Sequence, residues 1–246
     1  MNLIEHCLIP DWPAPKNVKA LQTTRRGGVS LPPYDSLNLG DHVGDDPLLV
    51  ARNRQQFSMI LPSEPVWLKQ IHGTTVIDAA HTECLPTADA SFSRQSGNVC
   101  VVMTADCLPI LLCDQDGRVV AAAHAGWRGL CDGVIEATVA KMKVPSDYLM
   151  AWLGPAISQA AFEVGDDVRS AFIAHDPQAK QAFAAAADGK WMADIYWLAC
   201  QRLQALGITQ IYGGNHCTYR DQERFFSYRR DGLTGRMASF IWLTEC

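Results

Sequence analysis

The segment that most constrains the fold reads TADCLPILLCDQDGRVVAAAHAGWRG. Its two apolar runs, residues 110–113 and 119–123, flank a turn-like sequence at residues 114–117, and this pattern predicts a β-hairpin. Cys107 stands just before the first run and His124 follows the second. The hairpin therefore brings a thiol and an imidazole to its open end.

Composition narrows the class of protein. The 246 residues are 48% hydrophobic and 19% charged, with a net charge of −5, which argues against general nucleic-acid binding. The first sixteen residues lack the pattern of a signal peptide, and no apolar run has the ~18–20 residues of a membrane helix. The nine cysteines include no C-x-x-C pair. We therefore expect a cytoplasmic protein with reduced thiols and no membrane or nucleic-acid partner.

Strand and helix patterns interleave along the chain and predict an α/β fold with a mixed sheet. Besides the hairpin, strands are expected at residues 18–24, 66–68, 75–77, 99–104, 149–153, 208–212 and 238–244. Helices are expected at residues 48–61, 129–143 and 192–206, and a surface helix at 179–189.

The thiol and the imidazole are compatible with more than one kind of site. His72, in the segment KQIHGTTV, is the best candidate for a third ligand, and a Cys-His-His set suits zinc or copper. Three protein ligands would leave the fourth position for water. Cys107 and His124 could equally form a nucleophile–base pair without metal, or be ordinary structural residues. Spacing alone does not separate these alternatives.

Six motifs, TRRGGVS, QIHG, TADCLPILL, AAAHAGWRGL, FSYRRDGLTGRMAS and GDD followed by NR, together resemble the YfiH family of bacterial laccase-domain proteins. The resemblance runs in order over nearly the whole chain and implies a single domain at residues 1–246. It also implies mixed, layered β-sheets with flanking helices, related to the catalytic domain of cytotoxic necrotising factor toxins. The metal ligands that it implies are His72, Cys107 and His124, holding zinc, with copper as the alternative.

Several other residues are candidates for binding or catalysis. The loop arginines could hold an anion or be solvated: Arg25, Arg128, Arg229, Arg230 and Arg236. The resemblance singles out Arg25 as a substrate contact, with Asn38 as a similar candidate. The substrate-binding candidates are therefore Arg25, Asn38, Arg128 and Arg229. The catalytic candidates are Cys107, His124 and Asp106, which could orient a ligand or only bond to a loop. The remaining histidines match no motif, and surface roles are expected for His6, His42, His81 and His175. His216 is not expected to be a ligand.

The resemblance implies an enzyme that acts on purine nucleosides and phosphate. Its activities would be phosphorolysis of adenosine, guanosine, inosine and methylthioadenosine, together with adenosine deamination. The usual zinc-deaminase motif H-x-E…P-C-x-x-C is absent. Two alternatives stay open: a cysteine hydrolase that edits peptidoglycan precursors, and a copper polyphenol oxidase, although seven histidines are few for a multicopper enzyme. The oligomeric state is left open.

Overall fold

The computed structural model describes residues 3–81 and 85–245. Its strands are β1 (Cys7–Leu8), β2 (Val18–Thr23), β3 (Val76–Asp78), β4 (Ala90–Ser93), β5 (Val99–Thr104), β6 (Leu108–Asp114), β7 (Val120–Ala125), β8 (Leu149–Leu153), β9 (Glu163–Val164), β10 (Phe183–Ala185), β11 (Trp191–Ala193), β12 (Gln210–Gly213) and β13 (Met237–Leu243). Its α-helices are α1 (Pro47–Gln55), α2 (Trp127–Asp132), α3 (Val134–Met142), α4 (Asp166–His175), α5 (Ile195–Ala205) and α6 (Tyr228–Asp231).

The strands form three sheets, which confirms the mixed α/β class. The largest sheet has the order β12-β8-β6-β7-β4-β3 and contains both parallel and antiparallel pairs. A second sheet has the order β1-β2-β13-β5, and a small third sheet has the order β10-β11-β9. The hairpin lies inside the six-stranded sheet as β6 and β7, where Cys113 pairs with Val120 and Pro109 pairs with His124.

Alternating side chains place the two larger sheets face to face. In β6, Ile110 and Leu112 belong to the core that the helices cover, whereas Leu111 belongs to the core between the sheets. In β5, Val102 belongs to the same inter-sheet core. Because side chains alternate along a strand, Thr104 and His124 lie on the inter-sheet face at the ends of β5 and β7. The gap between the sheets therefore ends at the open end of the hairpin.

Three helices differ from the sequence prediction in where they begin, break or end. The one predicted at residues 48–61 is α1, which ends at Gln55 and is followed by a 3₁₀ turn, Gln56–Met59. The helix predicted at residues 129–143 is instead α2 and α3, because Gly133 between them has φ 100°, in the left-handed region. The helix predicted at 192–206 begins only at Ile195, because the carboxylate of Asp194 caps it by accepting a hydrogen bond from the backbone N–H of Trp197.

The surface helix predicted at residues 179–189 was wrong. A 3₁₀ turn, Pro177–Ala182, leads directly into β10, which pairs with β11. Phe183 is buried against the helix-covered core, so its packing favours a strand over the helix that the alanines prefer. The strand predicted at 66–68 is reduced to a single bridge between Val66 and Cys100.

The helices and the cysteines of the structure bear on the expected absence of a membrane helix and on the expected reduced thiols. None of the helices within residues 3–81 and 85–245 has the length and apolar character needed to cross a bilayer. The seven cysteines in these ranges are all free thiols. The expectation of reduced thiols also covered Cys84 and Cys246, which lie outside the described residues.

Candidate metal centre

Three ligating side chains converge at the open end of the hairpin. His72 comes from the loop before β3, Cys107 directly precedes β6, and His124 lies near the end of β7. Their ligand atoms all lie within 4.8 Å of one another, and the Cys107 Sγ is 3.8 Å from the His72 Nε2. The two imidazole rings meet edge to face, with centroids 4.8 Å apart. The fold thus brings together the three residues predicted as ligands.

A buried carboxylate, Asp89, fixes two of these three residues. Its Oδ1 accepts hydrogen bonds from the His124 Nδ1 and the His72 N–H, both at 2.8 Å. Its Oδ2 accepts from the backbone N–H of Gly73 at 2.7 Å and of Ile71 at 3.2 Å. Because Nδ1 of His124 donates to Asp89, Nε2 carries the lone pair of the neutral ring and is free to bind a metal.

Two glycines of the HAGWRG segment leave room for the loop that carries His72. A Cβ atom added at Gly126 would lie 2.6 Å from the His72 Cδ2 and 3.1 Å from the Cys107 Sγ. A Cβ at Gly129 would lie 2.8 Å from the carbonyl oxygen of Gly73. Ordinary carbon contacts are about 3.5–4.0 Å, so any larger residue would push the loop away.

Electrostatics favour a thiolate in this cluster. Burial alone would raise the pKa of Cys107, but the facing imidazoles of His124 and His72 outweigh it and lower the pKa to about 6. Burial likewise opposes the charged form of His124, yet the Cys107 thiolate and the Asp89 carboxylate raise its pKa to about 9. Thiolate is the form of cysteine that binds metals and acts as a nucleophile.

The donor set fits a metal ion such as zinc. One thiolate and two imidazoles are ligands that zinc and copper both accept. Zinc bonds of about 2.3 Å to sulfur and about 2.0 Å to nitrogen place neighbouring tetrahedral ligands roughly 3.5 Å apart. The Sγ–Nε2 distance of 3.8 Å between Cys107 and His72 is close to that value. A small adjustment of the side chains would complete a three-ligand site with one open position.

The cluster opens into a cavity of about 440 Å³. Besides the three ligands, the cavity is lined by His42, Gln70, Met103, Thr104, Ala105, Tyr228 and Arg236. Gln70 is held by two hydrogen bonds to the backbone of Met103, at 2.7 and 2.8 Å. The lining combines apolar surface with a few polar groups, which is typical of sites for small organic ligands.

Asp106 lies beside the cluster but has both carboxylate oxygens occupied. Oδ1 accepts a hydrogen bond from the Thr218 hydroxyl and Oδ2 accepts one from the backbone N–H of Arg229, each at 2.6 Å. Its backbone has φ 89°, a left-handed conformation that is unusual for a residue other than glycine. Asp106 therefore fixes the turn into Cys107 and ties it to the start of α6.

The four substrate-binding candidates do not line this cavity. Arg25 lies at a separate cavity of about 380 Å³ and hydrogen bonds to Asp35. Arg128 is exposed, with its guanidinium 4.3 Å from the centre of the Trp127 ring. Arg229 donates to the carbonyl of Glu163 at 2.9 Å.

The fourth candidate, Asn38, is fully buried and acts on the cavity only indirectly. Its Nδ2 donates to the carbonyl of Gly40 and to the carboxylate of Asp45. Its Oδ1 accepts hydrogen bonds from the backbone N–H groups of Gly40 and Arg236, both at 2.9 Å. Asn38 therefore fixes the backbone of Arg236, which lines the cavity.

Sequence reasoning missed two parts of the site. Asp89 follows a loop without any recognisable motif, and only the fold shows that it reaches both His72 and His124. His42, which was expected to have a surface role, lines the cavity although it is exposed. His216, not expected to be a ligand, lies at a different cavity of about 460 Å³.

The chain is similar in sequence to known proteins over nearly its full length. Residues 19–244 match the family described as multi-copper polyphenol oxidoreductase laccase. The chain is 56% identical over 239 residues to the purine nucleoside phosphorylase YfiH of Escherichia coli, covering 96% of this chain and 98% of that protein. It is 53% identical over 239 residues to a purine nucleoside phosphorylase of Haemophilus influenzae, covering 95% and 97%.

Solved structures resemble the fold over nearly its full length. A crystal structure of a Neisseria meningitidis protein, 55% identical, matches with a TM-score of 0.94 and covers 98% of this chain and all of that one. The structure of YlmD from Geobacillus stearothermophilus, 27% identical, matches with a TM-score of 0.84 and covers 94% and 93%.

Proposed function

Since the chain belongs to the YfiH family of multi-copper polyphenol oxidoreductase laccase proteins, we propose that it is a purine nucleoside phosphorylase acting at the His72–Cys107–His124 cluster. The observation that carries the proposal is the convergence of these three ligands on one cavity of about 440 Å³. Two relatives of similar length bear the name purine nucleoside phosphorylase. The proposed substrates are adenosine, guanosine, inosine and methylthioadenosine, each with phosphate.

The reaction exchanges one bond at the sugar for another. A phosphate oxygen bonds to C1′ of the ribose while the bond from C1′ to the purine nitrogen breaks, and the purine keeps the electron pair and takes up a proton. Zinc bound at the cluster would supply positive charge to polarise a substrate oxygen and to lower the pKa of a water molecule. The chain itself binds and orients the substrates: Met103 and Tyr228 offer apolar and aromatic surface for the purine.

The proposal includes adenosine deamination at the same cavity. In that reaction a water oxygen bonds to C6 of the purine and the amino group leaves as ammonia. Asp89 holds the His124 ring so that its Nε2 faces the cluster, which keeps the proposed metal position fixed beside the reacting carbon. We also place the enzyme in the cytoplasm, where free thiols such as Cys107 stay reduced.

A second function, a cysteine hydrolase acting on an amide in peptidoglycan precursors, is favoured by one specific observation. The lowered pKa of Cys107, the facing His124 and the orienting Asp89 reproduce the order of a nucleophile, a base and a carboxylate. The copper polyphenol oxidase reading draws on the family description and on ligands that also accept copper.

One experiment separates the three functions. The purified protein is assayed for phosphate-dependent release of purine base, for amide hydrolysis and for dioxygen uptake, before and after treatment with a chelator. The phosphorylase proposal expects base release that a chelator abolishes and zinc restores, and that His72→Ala abolishes. His81→Ala, at an exposed histidine outside the cavity, is the control. Amide hydrolysis that survives both the chelator and His72→Ala would support the cysteine hydrolase. Oxygen uptake that depends on copper would support the polyphenol oxidase.

A further inference from the structure

We propose that Arg236 and Thr104 form the part of the cavity that binds phosphate. The inference rests on the proposed function, because it assigns one of that reaction's two substrates to named residues. Both residues line the cavity that contains the metal cluster. They come from neighbouring strands or their ends, since Thr104 closes β5 and pairs with Met237, which directly follows Arg236.

The charge of the lining favours an anion. Arg236 is the one arginine or lysine among the described residues that line the cavity, and no aspartate or glutamate is among them. His42 adds a further polar group, and the partial desolvation of its ring at the cavity, followed by the nearby charge of Arg236, lowers its pKa. A neutral imidazole can donate or accept a hydrogen bond without adding negative charge. The one negative group in the described part of the lining is the Cys107 thiolate, whose charge bound zinc would balance. In zinc-loaded protein an anion that enters the cavity therefore meets a guanidinium without a competing carboxylate in that lining.

Arg236 is held so that one edge of its guanidinium stays available. Its Nη1 donates to the carbonyls of Thr234 and Gly235, both at 3.0 Å, and its backbone N–H donates to Asn38. The stem of the side chain packs closely against Gly40, where an added Cβ would lie 2.7 Å from the Arg236 Cγ. Within the part of the chain that the structure describes, Nε and Nη2 donate no hydrogen bond. These two groups form the edge with which arginine binds phosphate bidentately.

Thr104 supplies the second, independent observation. Thr104 is only 2% exposed, and its Oγ1 has no hydrogen-bond partner among the described residues. A buried hydroxyl without a partner is rare in folded proteins, because leaving it unpaired costs free energy. An oxygen of a ligand in the cavity would satisfy it. The orphaned hydroxyl and the free guanidinium edge belong to residues that line the same cavity, and the proposal places the oxyanion between them.

Other arginines are less suited to this task. The guanidinium of Arg25 already bonds to Asp35, and its cavity also contains Glu223 and Asp231. Arg229 does not line the cavity that contains the metal cluster, and its Nη1 donates to the carbonyl of Glu163. Carboxylates next to a guanidinium compete with phosphate for the same N–H groups.

The test measures the KM for inorganic phosphate and the KM for inosine separately, in zinc-loaded protein. Arg236→Met is expected to raise the phosphate KM about 30-fold, the loss typical of a charged bidentate contact, with the inosine KM unchanged within about twofold. Arg236→Lys should lose less, because it keeps the charge. Thr104→Val, which keeps the shape of the side chain, should raise the phosphate KM about fivefold. Arg52→Met, at an exposed residue of α1, is the control.

Calorimetric titration of each zinc-loaded variant with inorganic phosphate alone separates this inference from the proposed function. Phosphate binding that Arg236→Met and Thr104→Val weaken supports the site, even if no nucleoside is turned over. The phosphate site would be refuted if both variants kept the wild-type KM for phosphate and the wild-type phosphate binding curve. It would also be refuted if only the KM for inosine rose. Zinc content and thermal unfolding of each variant show that the comparison is made on folded protein.

Discussion

Replacing Asp89 with asparagine tests how the metal site is held. The two carboxylate oxygens accept four N–H groups, two each, from His124, His72, Gly73 and Ile71. Asparagine keeps one oxygen and replaces the other with an NH₂ group, which faces two donors. Whichever way the amide turns, one or two hydrogen bonds to a fully buried group are lost, at a cost of about 1.5–6 kcal/mol of unfolding free energy.

The same substitution should weaken zinc binding. If the NH₂ group faces His124, it donates to Nδ1, the ring carries its proton on Nε2, and that atom no longer has a lone pair for metal. If it faces Gly73 and Ile71, the loop that carries His72 loosens. We expect Asp89→Asn to lose about 10–100-fold in zinc affinity, measured by competition with a chromophoric chelator.

Asp114→Asn is the matched control. Asp114 is equally buried and accepts hydrogen bonds from the N–H groups of Arg118 and Val119 and from the Arg118 Nε, but it lies at the opposite end of the hairpin. This variant should lose stability in urea unfolding and keep its zinc affinity within about twofold. Wild-type zinc affinity in Asp89→Asn, or an equal loss in Asp114→Asn, would refute the reasoning.

Two further predictions concern the same cluster. Gly126→Ala places a methyl group 2.6 Å from the His72 Cδ2, about 1 Å too close, so kcat/KM should fall about 100-fold while thermal unfolding changes little. Wild-type kcat/KM in this variant would contradict the packing account. Iodoacetamide reacts with a thiolate and not with a thiol. In metal-free protein the alkylation rate of Cys107 should therefore be constant at pH values above its pKa, and should fall as the pH drops through about 6. Cys113, whose pKa burial raises, should not react at neutral pH. Mass spectrometry of the labelled peptides reports both rates, and a midpoint for Cys107 near the ordinary value of about 8.5 would contradict the electrostatics.

The hairpin and its two ligands could be predicted because the information is local. The two apolar runs on either side of the turn at residues 114–117 determine which residues pair. This pairing carries Cys107 and His124 to the same end of the hairpin. His72 is far away in sequence, so the residues alone made it only the best candidate for a third ligand, and the family resemblance then implied its place beside them. The α/β class could be predicted for the same reason, because strand and helix patterns are local and interleave along the chain.

The rest of the site depends on contacts that no local pattern encodes. Asp89 is an ordinary residue in sequence, and its role arises because β4 pairs with β7 and carries it to His124. Arg236 was recognised only as one loop arginine among several, and the cavity distinguishes it. The single domain at residues 1–246 is not tested by the fold and stays a prediction. The same holds for the substrate roles of Arg25, Asn38, Arg128 and Arg229.

The most direct test of the central claim is phosphate-dependent cleavage of inosine by protein of known metal content. We expect about one zinc per chain and release of hypoxanthine with formation of ribose 1-phosphate, which requires phosphate and is lost together with zinc in His72→Ala. Protein that holds no metal, or that cleaves inosine equally well in His72→Ala, would contradict a nucleoside phosphorylase built on His72, Cys107 and His124.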